Sequence, residues 1–143
     1  MNRKLKIIAV GKVKHNWINA GVKEYSKRLP GLTVVEIKDS NKDKEYQEIT
    51  ALIKPREKLI TMTERGKLMD SIAFSKFLAQ ETLDESLVFA IGGPEGISAN
   101  LEQASAHCIS LSPMTFTHDM ARLLLIEQLY RAQNILQNGA YHK

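Results

Sequence analysis

"SLVFAIGGPEGIS", residues 86–98, passes without a break from an apolar run into two glycines, a proline, a glutamate and a third glycine. Leu87, Val88, Phe89, Ala90 and Ile91 show no polar alternation, which predicts a short strand buried on both faces, as in a parallel sheet. Gly92, Gly93 and Gly96 then allow a tight turn or a close approach to the backbone. The loop is not a phosphate-binding signature. G-x-x-x-x-G-K-S/T is absent, and "GGPEG" lacks the G-x-G-x-x-G spacing. Pro94 has no N–H to offer an anion. A stiff loop with exposed backbone groups suits a neutral planar ligand such as an adenine; a plain strand-to-helix turn accounts for the same residues.

Outward from this stretch, strands and helices alternate. "LKIIAVGK" (5–12), "LTVVEIK" (32–38), "EKLITMT" (57–63) and "CISLS" (108–112) read as further strands, rich in β-branched residues. Between them, 17–29 has helical spacing, with Trp17, Ile18, Val22, Tyr25 and Leu29 on one face. Residues 40–54 read as a polar turn and a short helix, and 71–83 as a helix capped by Asp70 or Ser71. A short helix over 98–106 is opened by Ser98, and "ERGK" (64–67) reads as a turn. The longest helix covers 118–137. Such alternation predicts one α/β domain over 1–143, with a mostly parallel sheet and helices on both faces. Ligands of such sheets bind beyond the carboxyl ends of the strands. The loops at 62–67, 92–96 and 111–116 all leave strands there and would form one pocket if they lie side by side.

Composition narrows the class. The hydrophobic share of 43% and charged share of 25% are those of an ordinary globular domain. No apolar run approaches the roughly 18 residues of a membrane span, and Ile7–Val10 is too short for a signal-peptide core. One cysteine, Cys108, excludes an internal disulfide and fits a reducing, cytoplasmic setting. Its apolar run predicts a buried, inert thiol. The four histidines and Cys108 have no metal-ligand spacing, so no metal is expected. Net charge is +4, but residues 1–30 hold eight Lys or Arg against one Glu, leaving the remainder slightly acidic. Such a basic end suits a polyanion such as nucleic acid, and equally a solvated face.

"SLSPMTFTHDMARLLLIEQLYRAQ", 110–133, is the second informative stretch. Thr117 suits an N-cap, with Asp119 favourable in the first turn. His118 and Arg122, four apart, share a face beside the helix start, where they can form a site for an anion or a polar base edge. Leu123, Leu124, Leu125 and Ile126 follow consecutively, so apolar residues wrap much of the helix. A second copy of the chain is the simplest cover for the excess, which predicts a homodimer. "AYHK" (140–143) becomes informative only where it reaches a site.

"LKIIAVGK", "ERGK" with Ser71 following, "FAIGGPEGIS", "SLSPMTFTHDMARLLLIEQLYRA" and "YHK" occur in this order over the whole chain. The chain thereby resembles the small SPOUT-class methyltransferases that modify N3 of a pseudouridine in large-subunit (23S) ribosomal RNA. The resemblance implies a deep trefoil knot near the C-terminus, which rules of chain topology argue against. It implies a homodimer, S-adenosylmethionine as cofactor, and ribosomal RNA or the ribosome as partner. The cofactor would be held by Met62, by Gly92 and Gly93, and by the run Leu111, Ser112, Pro113, Met114, Thr115 and Phe116. His118 and Arg122 would serve catalysis, His118 by accepting the proton or orienting the base edge. Tyr141 and His142, from the partner copy, would close over the base. Lys12, Lys14, Lys23 and Arg28 would contact RNA phosphates. Met62, Thr63 and Ala140 stand where Leu, an acid and Pro are typical. A non-catalytic RNA- or ribosome-binding module is the alternative, whereas a hydrolase lacks a motif such as G-x-S-x-G.

Overall fold

The computed structural model describes residues 4–142. Arg3 of the basic stretch and Lys143 of the last motif lie outside the described residues. The order is β1 (Leu5–Val10), α1 (Asn16–Ser26), β2 (Leu32–Ile37), α2 (Lys42–Ala51), β3 (Glu57–Leu68), α3 (Ser71–Glu81), β4 (Ser86–Ile91), α4 (Ala99–Ala104), β5 (His107–Ser110) and α5 (His118–Leu136). The strands form one sheet in the order β2-β1-β4-β3-β5, every pair parallel. As the apolar run 87–91 implied, β4 is central, and Leu87 to Ile91 are all buried.

Successive β4 side chains point to opposite faces, and each face has its own core. Phe89, beside Ile7 of β1 and Ile60 of β3, packs with Ile18 and Val22 of α1, Phe74 and Leu78 of α3, and Leu125, Ile126 and Leu129 of α5. Val88 and Ala90 face the other way, with Ile8, Ile49 of α2 and Leu101 of α4. Each fully buried Ile, Leu or Phe contributes about 1.5–3 kcal/mol, so the two faces fix which side each helix takes. The helix starts follow the capping rules: Asn41, Asp70, Ser98 and Thr117 each accept a hydrogen bond from the backbone N–H three residues on.

Two expectations are corrected, and a third, the apolar excess of α5, is narrowed. "ERGK" is not a turn that ends β3, because the strand runs on to Leu68. Met62 and Lys67 both pair with Ile109, and the chain between them bulges out and returns. Gly66 makes this close return possible: a Cβ there would lie 2.6 Å from the Ile109 carbonyl carbon. Trp17 does not join the buried face of α1 but stands 62% exposed, one position off the Ile18 and Val22 stripe. Finally, α5 has chain neighbours on three sides. It lies on the sheet between α1 and α3, with Leu123 against Gly21 and Gln128 accepting from the Ser71 hydroxyl at 2.7 Å. Those helices account for much of its apolar wrapping.

Candidate active site

The carboxyl ends of β1, β4, β3 and β5 lie along one edge of the sheet. There the segments that follow them enclose a cavity of about 630 Å³. The three loops singled out in the sequence do lie side by side. Met62, Gly92, Gly93, Leu111, Ser112, Met114, Thr115, Phe116 and His118 line the cavity, and Pro113 does not. Of the basic residues, Lys14 lines it, whereas Lys12, Lys23 and Arg28 stand exposed outside it.

The glycine loop is built by its own backbone. The Gly96 N–H donates to the Gly93 carbonyl at 2.9 Å, and Gly96 adopts φ +79°. A Cβ on Gly92 would lie 2.6 Å from the Gly96 carbonyl carbon, and one on Gly93 would lie 3.0 Å from Val10 Cγ1. The absent side chains thus make room first for the chain itself, and the turned loop then offers its outer edge to the cavity. On the opposite wall, Ser110 and Ser112 shape the run after β5. The Ser110 hydroxyl donates to the Ser112 carbonyl at 2.8 Å and accepts from the Ser112 N–H. The Ser112 hydroxyl accepts from the Met114 N–H at 3.0 Å. Met114 and Phe116 are left 74% and 39% exposed at the mouth.

The start of α5 supplies the titratable groups. His118 and Arg122 share a face as expected, and both meet Gly11, where φ is +85° at the end of β1. The His118 ring lies beside the Gly11 Cα, and its Nδ1 is buried without a partner among the described residues. Arg122 is 3% exposed and does not line the cavity. Its Nη1 donates to Glu36 Oε2 at 2.5 Å and its Nη2 to the Gly11 carbonyl at 2.9 Å. Arg122 therefore fixes the turn against which His118 rests.

Among the lining residues that were not read from the sequence as site residues are His15 and Asp119. Asp119, 3% exposed, accepts from the Thr117 hydroxyl, the Met120 N–H and His15 Nδ1. Burial alone would raise its carboxyl. Hydrogen bonds from Thr117, His15 and the backbone of Lys14 and Met120 overcome that and hold it at about 2. An ionised carboxylate only accepts, so His15 Nδ1–H donates and its ring is fixed at the cavity wall. Asp119 was visible in the sequence only as a favourable first-turn acid, and nothing local announced His15.

Tyr141 and His142 pack at the other end of α5. The Tyr141 hydroxyl donates to Glu127 Oε2 at 2.7 Å and meets the Tyr25 hydroxyl at 3.0 Å, and His142 Nδ1 lies 3.0 Å from Arg131. Glu127 is nine residues beyond His118, about 13 Å along the helix. Within one chain these tail side chains do not line the cavity.

The cavity fits a mostly neutral ligand with an apolar body. Its volume is in the range of small-molecule sites. Met62, Ile91, Leu111, Met114 and Phe116 supply apolar surface, and the two loops supply backbone donors and acceptors. An adenosyl group carrying a methionine chain matches that donor set, with the Phe116 ring and the acids Asp119, Glu64 and Glu95 suited to a cationic centre. Among the described residues no cluster of three or more His, Cys, Asp or Glu could hold a metal ion, and no helix is long and apolar enough to cross a membrane.

Comparison with known proteins agrees with this geometry. The family model described as "Predicted SPOUT methyltransferase" matches residues 3–142. The chain is 49% identical to "Ribosomal RNA large subunit methyltransferase H" of Synechococcus sp. (strain CC9902) over 138 residues, 96% of this chain and 95% of that protein. A probable methylase family protein from Haemophilus influenzae Rd KW20 superposes with a TM-score of 0.63 at 11% identity, over 100% of this chain and 72% of that one. The SpoU methyltransferase AviRb from Streptomyces viridochromogenes, solved in complex with the cofactor AdoMet, gives a TM-score of 0.53 at 11% identity. That match covers 98% of this chain and 61% of the other. The solved structures share the fold; the family model and the identity to a relative of nearly equal length go further, and the chain belongs to the SPOUT methyltransferase family.

Proposed function

We propose that this protein methylates N3 of a pseudouridine in large-subunit ribosomal RNA, with S-adenosylmethionine as donor. It would act as a homodimer in the cytoplasm on assembled ribosomes. The observation that carries the reading is His118, set on the wall of a cavity made by three strand-end loops, with its Nδ1 buried and without a partner among the described residues. The cofactor, when bound, supplies an electrophilic methyl group. Met62, the glycine loop and residues 111–116 would hold it by backbone contacts and apolar packing. N3 must lose its proton to accept a methyl group, and His118, on the cavity wall, would take that proton. Arg122 holds the Gly11 turn under His118, and Asp119 holds His15, so positioning supplies much of the rate. The knot belongs to the same reading, supported by the bulge of β3 that comes close against the β5 backbone at Gly66. Leu68 and Ile72, exposed beside the α3–α5 contact, are apolar surface available to a second copy.

A methyl-transfer assay tests this. Labelled S-adenosylmethionine is mixed with the protein and ribosomes from a strain lacking its gene. Label is expected in large-subunit RNA at a pseudouridine. His118→Ala is expected to cut the rate by about 10²–10⁴ while calorimetry finds cofactor binding unchanged. Cofactor binding with no label in any RNA would overturn the RNA substrate. Neither binding nor label would overturn methyl transfer and leave the RNA-binding module.

A further inference from the structure

Trp17 is the one tryptophan of the chain, and it is 62% exposed although α1 offers a buried face one position away. Its ring centroid lies 5.8 Å from that of His15, at an interplanar angle of 47°. His15 is pinned from beneath by the buried, ionised Asp119 and lines the cavity. The aromatic pair thus stands at the cavity's edge. The segment that carries it is cationic. Lys12 and Lys14 flank it in sequence, both exposed and without an ion-pair partner among the described residues, and no acid occurs between Gly11 and Lys23. Arg65, also in the cavity lining, is instead paired with Glu102 and Glu64.

We infer that Trp17, steadied by His15, is a stacking platform for an unpaired RNA base next to the base held in the cavity, with Lys12 and Lys14 on the adjoining phosphates. An exposed aromatic face costs nothing to desolvate on the protein side beyond its own surface, takes any base, and becomes specific for RNA when cations line the backbone path. A protein partner would also cover an exposed Trp, but the segment from Gly11 to Lys23 carries lysines and no acid of its own, with Asp119 buried beneath His15, and such a strip is complementary to a polyanion. This inference rests on the proposed RNA methylation.

Because Trp17 is the sole indole, its fluorescence reports directly on the platform. An RNA hairpin of large-subunit sequence with an unpaired pseudouridine, titrated into the full-length protein, is expected to quench the emission saturably. In the methyl-transfer assay, Trp17→Ala and Trp17→Leu are expected to raise the KM for RNA about tenfold, since stacking on an aromatic is worth roughly 5- to 150-fold per base. Trp17→Phe should restore most of it, with kcat and cofactor affinity little changed in all three. Full RNA affinity in Trp17→Leu would overturn the platform. So would a loss that follows dissociation of the oligomer in sedimentation, which would assign Trp17 to a contact between copies. If the wild-type protein methylates no RNA, the function falls on its own, whereas ribosome co-sedimentation as strong for Trp17→Leu as for the wild type overturns the platform independently.

Discussion

Asp119 is the residue whose environment is most demanding. It sits in the first turn of α5, buried, with the Thr117 hydroxyl, the Met120 N–H and His15 as donors. Burial opposes its charge and these bonds outweigh that, so the folded chain holds the proton less tightly, at about 2, than an unfolded one. Ionised Asp119 therefore stabilises the fold above about pH 4, and that stabilisation, of order 2 kcal/mol, disappears as pH falls from about 4 to about 2. Asp119→Asn is expected to lower the denaturation midpoint at pH 7 and to flatten the decline of stability across that window. Urea titrations at several pH values check it, and parallel acid sensitivity in the variant would refute it. At this scale the sequence was readable where spacing along one element decides: His118 and Arg122 do share a face and both touch Gly11. Partners from distant segments left no local trace. Arg122 is tied to Glu36, and Asp119 to His15, across 86 and 104 residues.

Among the elements, the glycine loop allows backbone conformation and close packing to be separated. Gly96 has φ +79° and open space where a Cβ would stand, whereas a Cβ on Gly92 would sit 2.6 Å from the Gly96 backbone. Gly96→Ala should cost about 1–2 kcal/mol, the conformational penalty alone. Gly92→Ala should cost more and disturb the cavity wall, because backbone must move. Thermal unfolding of the two variants measures the difference; equal losses would mean that the loop yields freely at Gly92. Helices and strands with clear periodicity, such as β4 and α5, were legible because burial writes a local pattern. The second half of β3 was not. Its pairing depends on a bulged return to β5, about forty residues on, and "ERGK" carries the polar composition of a turn.

In the whole molecule, the sheet order β2-β1-β4-β3-β5 is a fact of long-range pairing that no local pattern encodes, although alternation fixed the α/β class. The tail raises the larger question. Tyr141 is clamped by Glu127 and Tyr25 and stacks edge-on against Tyr130, while Arg131 lies over its ring and bonds His142. Burial first, then the hydrogen bonds to Tyr25 and Glu127, push the Tyr141 hydroxyl above its ordinary range, so it remains a neutral donor. Such a corner is fixed too firmly, and about 13 Å too far along α5, to serve the cavity of its own chain. If it acts in the reaction, it does so by docking whole against the cavity of a second copy. A mixing experiment decides this. His118→Ala subunits and subunits carrying both Tyr141→Ala and His142→Ala are each expected to be nearly inactive. Refolded together in equal amounts, half the dimers are hybrids, and each hybrid holds one site with an intact His118 and an intact tail. Activity should return to about a quarter of wild type. A mixture as inactive as its parts, with hybrid dimers present, would mean that tail and His118 must come from the same chain.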